Sequence, residues 1–172
     1  MGLYRGEEVS PTEIYITEMV YPIAKQLLPE KMGGEGAWRL LTAIGGQESK
    51  FMHRVQVKGP ARSFWQFEEN GGVAGVLRHE ETSLYAEFVC NVLGYPADKS
   101  VVYEAMAHND VLAACFARLL LWTDSRAIPP SDKPADGWLI YISTWRPGKP
   151  HPQTWNAHFQ AAWSTGQKTL RA

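Results

Sequence analysis

At 172 residues the chain is one domain's worth, long enough to bury a core without disulfide or metal staples. Apolar residues make up 45% and charged residues 20%, as in an ordinary globular protein, and a net charge of −1 gives no general pull toward nucleic acid or an anionic membrane. No apolar run reaches membrane-spanning length, the longest candidate being VLAACFARLLLW, and MGLYRGEEVS lacks a secretory apolar segment. These features predict a soluble protein.

The elements read as helices. After a tail over residues 1–10, Ser10, Pro11 and Glu13 supply an N-cap, a first-turn proline and a capping-box glutamate for a helix reaching Leu28. PEKMGGEG, residues 29–36, interrupts it. A second helix is expected from Ala37 to Glu48 or Ser49, and its Gly45–Gly46 pair costs roughly 1 kcal/mol per glycine. Close packing or room for a ligand would account for that cost. Residues 50–70 show no clean period, and a β-turn or small hairpin is expected near Gly59–Pro60. Further helices are expected over Val73–Leu77, Thr82–Leu93, Lys99–Ala107 and Val111–Trp122, the last capped by Asn109 or Asp110. TDSRAIPPSDKP reads as a surface loop, followed by helices over Asp136–Trp145 and Thr154–Thr165. No repeat or linker divides the chain, so the expectation is one all-α domain. Cys90 and Cys115 read as small apolar helix residues, with a disulfide left open.

One carboxylate stands out. Glu48 closes an apolar helix at the unfavourable end of the macrodipole, with Ala43, Ile44, Phe51, Phe64 and Trp65 nearby in sequence. Both the dipole and desolvation would raise its pKa, as a general acid requires near neutral pH. A solvated helix-end charge is the ordinary alternative. The histidines His53, His79, His108, His151 and His158 form no HExxH or paired metal spacing, so no metal and no cofactor are expected.

The stretch ESKF followed by GPARSFWQ resembles the glutamate-serine and GAxGLMQ motifs of lytic transglycosylases related to goose-type lysozyme. The segment is especially similar to bacteriophage muralytic domains, in which GPARxFWQFE is followed by GGVxGVLRH; here residues 71–79 read GGVAGVLRH. WRPGKPHPQTW, Trp145 to Trp155, is also similar to that group. The resemblance covers most of the chain from Ala37 to Trp163. It implies a lysozyme-like fold and cleavage of the β-1,4 bond between N-acetylmuramic acid and N-acetylglucosamine.

Carried over by residue, Glu48 matches the catalytic acid/base, Ser49 the serine supporting it and touching sugar, and Gln66 the substrate-contacting glutamine. Phe64, Trp65 and Trp145 fall where a sugar groove would run, and Trp155 could also stack on sugar. Tyr141, in WLIYISTW, is the match for a tyrosine that hydrogen-bonds the glutamate, although the family's AYNxG form is absent. Ser63 and Trp65 replace the family's glycine and methionine. Arg62, Arg78, Arg146 and Lys149 are candidates for holding the muramyl peptide's carboxylates.

The resemblance further implies a substrate-assisted route with one protein carboxylate, ending in a 1,6-anhydro sugar. Glu68 or Glu69 would instead permit water-dependent hydrolysis, and the sequence leaves the two chemistries open. The implied partners are a peptidoglycan strand and other phage virion proteins, without nucleic acid or a membrane span. The implied location is a virion, or host cytoplasm before release, with action in the bacterial periplasm or wall. A peptidoglycan-binding virion protein without turnover is the alternative of a different class.

Overall fold

A computed structural model describes residues 9–168; residues 1–8 of the expected tail lie outside the described residues. The architecture is all-α, as expected. Ser10 accepts the Glu13 N–H at 3.1 Å and Pro11 opens α1, Pro11–Tyr15. A π-turn over Ile16–Val20 leads directly into α2, Tyr21–Leu27, so the expected single helix carries an internal widening. Its cause is Pro22, whose ring crowds the carbonyl four residues back. The preceding Tyr21 N–H consequently reaches Ile16 O, five residues away.

A short 3₁₀ turn, Glu30–Met32, fills the expected break, and α3 then runs from Glu35 to Ser49. Two antiparallel bridges, Val55 with Arg62 and Arg62 with Phe67, make the small β feature expected near Gly59–Pro60. Among the described residues it does not extend into a strand. A second π-turn, Glu69–Val73, precedes α4, Ala74–Arg78. The remaining helices are α5 (Ser83–Leu93), α6 (Lys99–Ala105), α7 (Asp110–Trp122), α8 (Pro134–Thr144) and α9 (Pro152–Lys168). Asn109 caps α7 by accepting the Leu112 N–H at 3.0 Å.

The core is organised around α7. From Leu112 to Leu121 all of its side chains are buried, the pattern of a helix enclosed on every side. It packs against α2, α3, α4, α5 and α8, while α9 lies along α3. Even Arg118 is enclosed: its Nε donates to Met32 O at 2.9 Å and its guanidinium lies over Trp122. Burial pushes its pKa down to about 10, which leaves it charged at neutral pH. Cys90 and Cys115 are both buried and free, and burial pushes their thiols up to about 11 and about 12.

Candidate active site

The end of α3 is shaped by its two glycines. A Cβ on Gly45 would stand 2.5 Å from the Phe51 ring, and one on Gly46 would stand 2.8 Å from His158. The cost of the pair is therefore met by close approach, of the returning loop on one side and α9 on the other. Lys50 and Phe51 follow at φ 52° and 55°, two consecutive left-handed residues that turn the chain back on itself. Ser49 secures this turn. Its hydroxyl lies 2.8 Å from Phe64 O and 3.2 Å from Gly45 O, and it accepts the Phe51 N–H at 3.1 Å.

Glu48 is thereby held on a fixed helix end, half-buried. The Tyr141 hydroxyl donates to its Oε1 at 2.6 Å, from α8 and 93 residues away. Burial pushes the Glu48 pKa up to about 7, and the tyrosine hydrogen bond opposes that rise. Burial and the neighbouring carboxylate in turn push the Tyr141 phenol upward, so it stays a donor throughout the neutral range. Desolvation dominates the result: the carboxyl holds its proton near neutral pH while keeping a partner for its ionised form.

Tyr141 is only 2% exposed, enclosed by aromatic rings. Trp155 of α9 stacks parallel to it, centroids 5.3 Å apart and planes 5° from parallel, and Trp138 lies at 5.4 Å. Trp155 is fixed in its turn, its Nε1 donating to Pro134 O at 2.7 Å. Next to Glu48, Gln47 clamps α9: its Nε2 donates to His151 O at 3.0 Å, and its Oε1 accepts from Thr154 Oγ1 at 3.0 Å.

The structure separates the remaining candidates into two groups. Phe64 and Trp65 are 1% and 0% exposed, so neither offers a face to a sugar, contrary to the groove role expected of them. Trp65 is a core residue whose Nε1 donates to Leu41 O at 2.9 Å, and Phe64 packs against Phe51 and under the Arg54 guanidinium. Trp155, also expected to face sugar, is buried as the backing of Tyr141. Trp145 is half-buried and tied to the site, its Nε1 donating to Trp65 O at 2.9 Å. Gln66 is half-buried at φ 52°, with Nε2 on Ser63 O at 2.7 Å. Ser49 supports the Glu48 turn through its backbone contacts.

Glu69 accepts from Ser100 Oγ at 2.7 Å and lies 4.0 Å from Lys99, which commits it to α6; Glu68 is exposed. Sequence reasoning missed the Arg54–Asp110 pair, a two-pronged ion pair at 2.9 and 2.8 Å that fastens the loop after Glu48 to the start of α7. Nothing in the spacing of those two residues, 56 apart, announces it. Trp155 had a readable signal, because Trp155, Phe159 and Trp163 recur at helical spacing and mark a packed face.

Among the described residues no three or more His, Cys, Asp or Glu side chains are grouped to hold a metal, and no helix is long and apolar enough to cross a membrane. An open apolar hollow on α6, lined by Tyr95, Val101, Glu104, Ala105 and His108 among others, shares no residue with the Glu48 cluster. Comparison with protein-family models, with curated proteins and with solved structures finds no match.

Proposed function

We propose that this chain cleaves the glycan strand of peptidoglycan between N-acetylmuramic acid and N-acetylglucosamine, as a lytic transglycosylase of lysozyme-like type. The observation that carries the reading is Glu48, a half-buried carboxyl with a pKa near 7, hydrogen-bonded by Tyr141. A proton donor maintained in this way supports turnover over wall binding alone. The motif resemblance around Glu48, Ser49 and Gln66 supplies the substrate class.

Glu48 gives its proton to the glycosidic oxygen as the bond to the muramic acid anomeric carbon breaks. The sugar's own N-acetyl oxygen stabilises the positive charge that develops there. Glu48, now a carboxylate accepting the Tyr141 hydrogen bond, takes the proton of the C6 hydroxyl. The C6 oxygen closes on the anomeric carbon, and Glu48 ends protonated again, without consumption of water. Glu69 is occupied on α6, which leaves Glu68 as the carboxylate a hydrolytic route would have to use. A phage origin, with a task in wall penetration or lysis, fits the same resemblance.

The test is mass spectrometry of muropeptides released by the purified protein. Anhydro-muramic ends are expected; reducing ends would convert the assignment to a muramidase. Absence of any cleavage product across pH 4–9, with wall binding retained, would replace the catalytic reading by the binding one.

A further inference from the structure

The net charge of −1 conceals an uneven distribution along the chain on either side of the Glu48 site. Between Ser49 and Phe67 the chain carries Lys50, Arg54, Lys58 and Arg62 and no Asp or Glu, and residues 137–168 carry no Asp or Glu either. These are the loop that leaves Glu48 and the α8–α9 region that supplies Tyr141, Trp145 and the His151 carbonyl bound by Gln47. Two of the cations are internally committed, Arg54 to Asp110 and Arg62 to the Tyr103 ring. Lys50, Lys58, Arg146 and Lys149 are exposed and form no ion pair among the described residues.

Lys50, Lys58 and Arg146 also occupy left-handed backbone, at φ 52°, 57° and 50°. Glycine or asparagine would adopt that conformation more easily at each position. The four exposed charges lie on two separate segments of the chain, two in the loop after Glu48 and two between α8 and α9. Such a frame matches anions repeated along a polymer better than a single phosphate, which favours a forked arginine or a nest of backbone N–H groups.

We infer that these two acid-free loops form a cationic rim that holds the glycan by carboxylates spaced along it, separately from the sugar contacts at Glu48. The inference rests on the glycan reading above and names the charged substituent recognised. The rim raises local substrate concentration and orients the strand, so its contribution is screened by salt.

The experiment measures sedimentation of the Glu48→Gln protein with insoluble peptidoglycan, which requires no turnover. Three substrates are compared: native wall, wall with carboxylates amidated by carbodiimide coupling, and wall stripped of phosphate polymers with hydrofluoric acid. Binding to native and stripped wall should match, and amidation should weaken it roughly tenfold. Raising salt from about 0.01 M to about 1 M, which shortens the screening length from about 30 Å to about 3 Å, should release the protein.

Lys50→Gln with Lys149→Gln should weaken binding roughly fivefold at low salt, whereas Lys25→Gln with Lys133→Gln, of equal charge change, should not. Binding that ignores amidation and salt, loss that follows phosphate removal alone, or equal effects of the two double variants would each overturn the rim. Cleavage by the native protein with salt-insensitive binding sinks the rim alone. Salt-sensitive binding without any cleavage product sinks the catalytic reading alone.

Discussion

Tyr141 and Trp155 lie ring on ring, 5.3 Å apart and within 5° of parallel, with the tyrosine hydroxyl directed at Glu48. The stack makes Trp155 a positioning residue for a hydrogen bond it does not itself form. Trp155→Phe should preserve the stack and most activity, whereas Trp155→Leu should lower kcat roughly tenfold. Loss of packing alone would leave the pH profile in place. A displaced Tyr141 moves its alkaline limb upward, and that shift in Trp155→Leu is the measurement to make.

The direct counterpart is Tyr141→Phe. The hydroxyl stabilises the Glu48 carboxylate, so its removal should raise the Glu48 pKa further above about 7. The expected result is a pH–rate profile whose alkaline limb moves upward while kcat falls roughly 10- to 100-fold, because the carboxylate formed in the first step is less stabilised. An unmoved limb would show that the hydrogen bond does not act on the titrating group.

The native profile is itself diagnostic. With Glu48 protonated as the starting state, activity should fall as pH rises through about 7. A mechanism with one carboxylate predicts no second limb from an essential ionised acid below that point. A bell-shaped profile with an acidic limb near pH 4–5 would implicate a second carboxylate, with Glu68→Gln and Glu69→Gln as the variants that identify it.

Glu48 also makes stability depend on pH in an unusual direction. Its folded-state pKa is raised from 4.5 to about 7, so between those values the native state binds more protons than the unfolded chain. Stability is therefore fully present below about pH 4.5, declines as pH rises to about 7, and stays lowered above it. Glu48→Gln should abolish cleavage, match the native protein in stability near pH 4, and exceed it by up to ~3 kcal/mol near pH 8. Urea unfolding at the two pH values measures the difference.

Gly45 and Gly46 test how tightly the helix end is fitted. Gly45→Ala forces its methyl group onto the Phe51 ring and Gly46→Ala forces one onto His158. Each should destabilise by roughly 1–3 kcal/mol despite the better helix propensity of alanine. Gly75→Ala, where a Cβ meets nothing within 4 Å, is the control and should be neutral or mildly stabilising.

Helix positions were well marked in the sequence because caps and apolar spacing are local signals. Ser10 with Pro11 and Asn109 act at the N-termini they announce. The π-turn before Pro22 was invisible to periodicity, which sees apolar spacing but not a carbonyl displaced by a ring. At the site, Glu48 and Tyr141 were identified and the structure brings them together. Phe64 and Trp65 were misplaced because an aromatic run following Glu48 in the sequence fits a core and a groove equally well, and only burial separates them. The Arg54–Asp110 pair and the Gln47 clamp join segments far apart in sequence, with no periodic pattern to reveal them.

Cys90 and Cys115 give the molecule a built-in clock. Both thiols are buried, unpaired and pushed far above neutral pKa, so the folded chain offers almost no thiolate to an external reagent. They lie on α5 and on the central α7, so exposing Cys115 means opening the core itself. With reagent in large enough excess to react before the core recloses, the rate at which Cys115 is consumed therefore reports how often the core opens. The same enclosure protects both sulfurs from oxidation for as long as the chain stays folded.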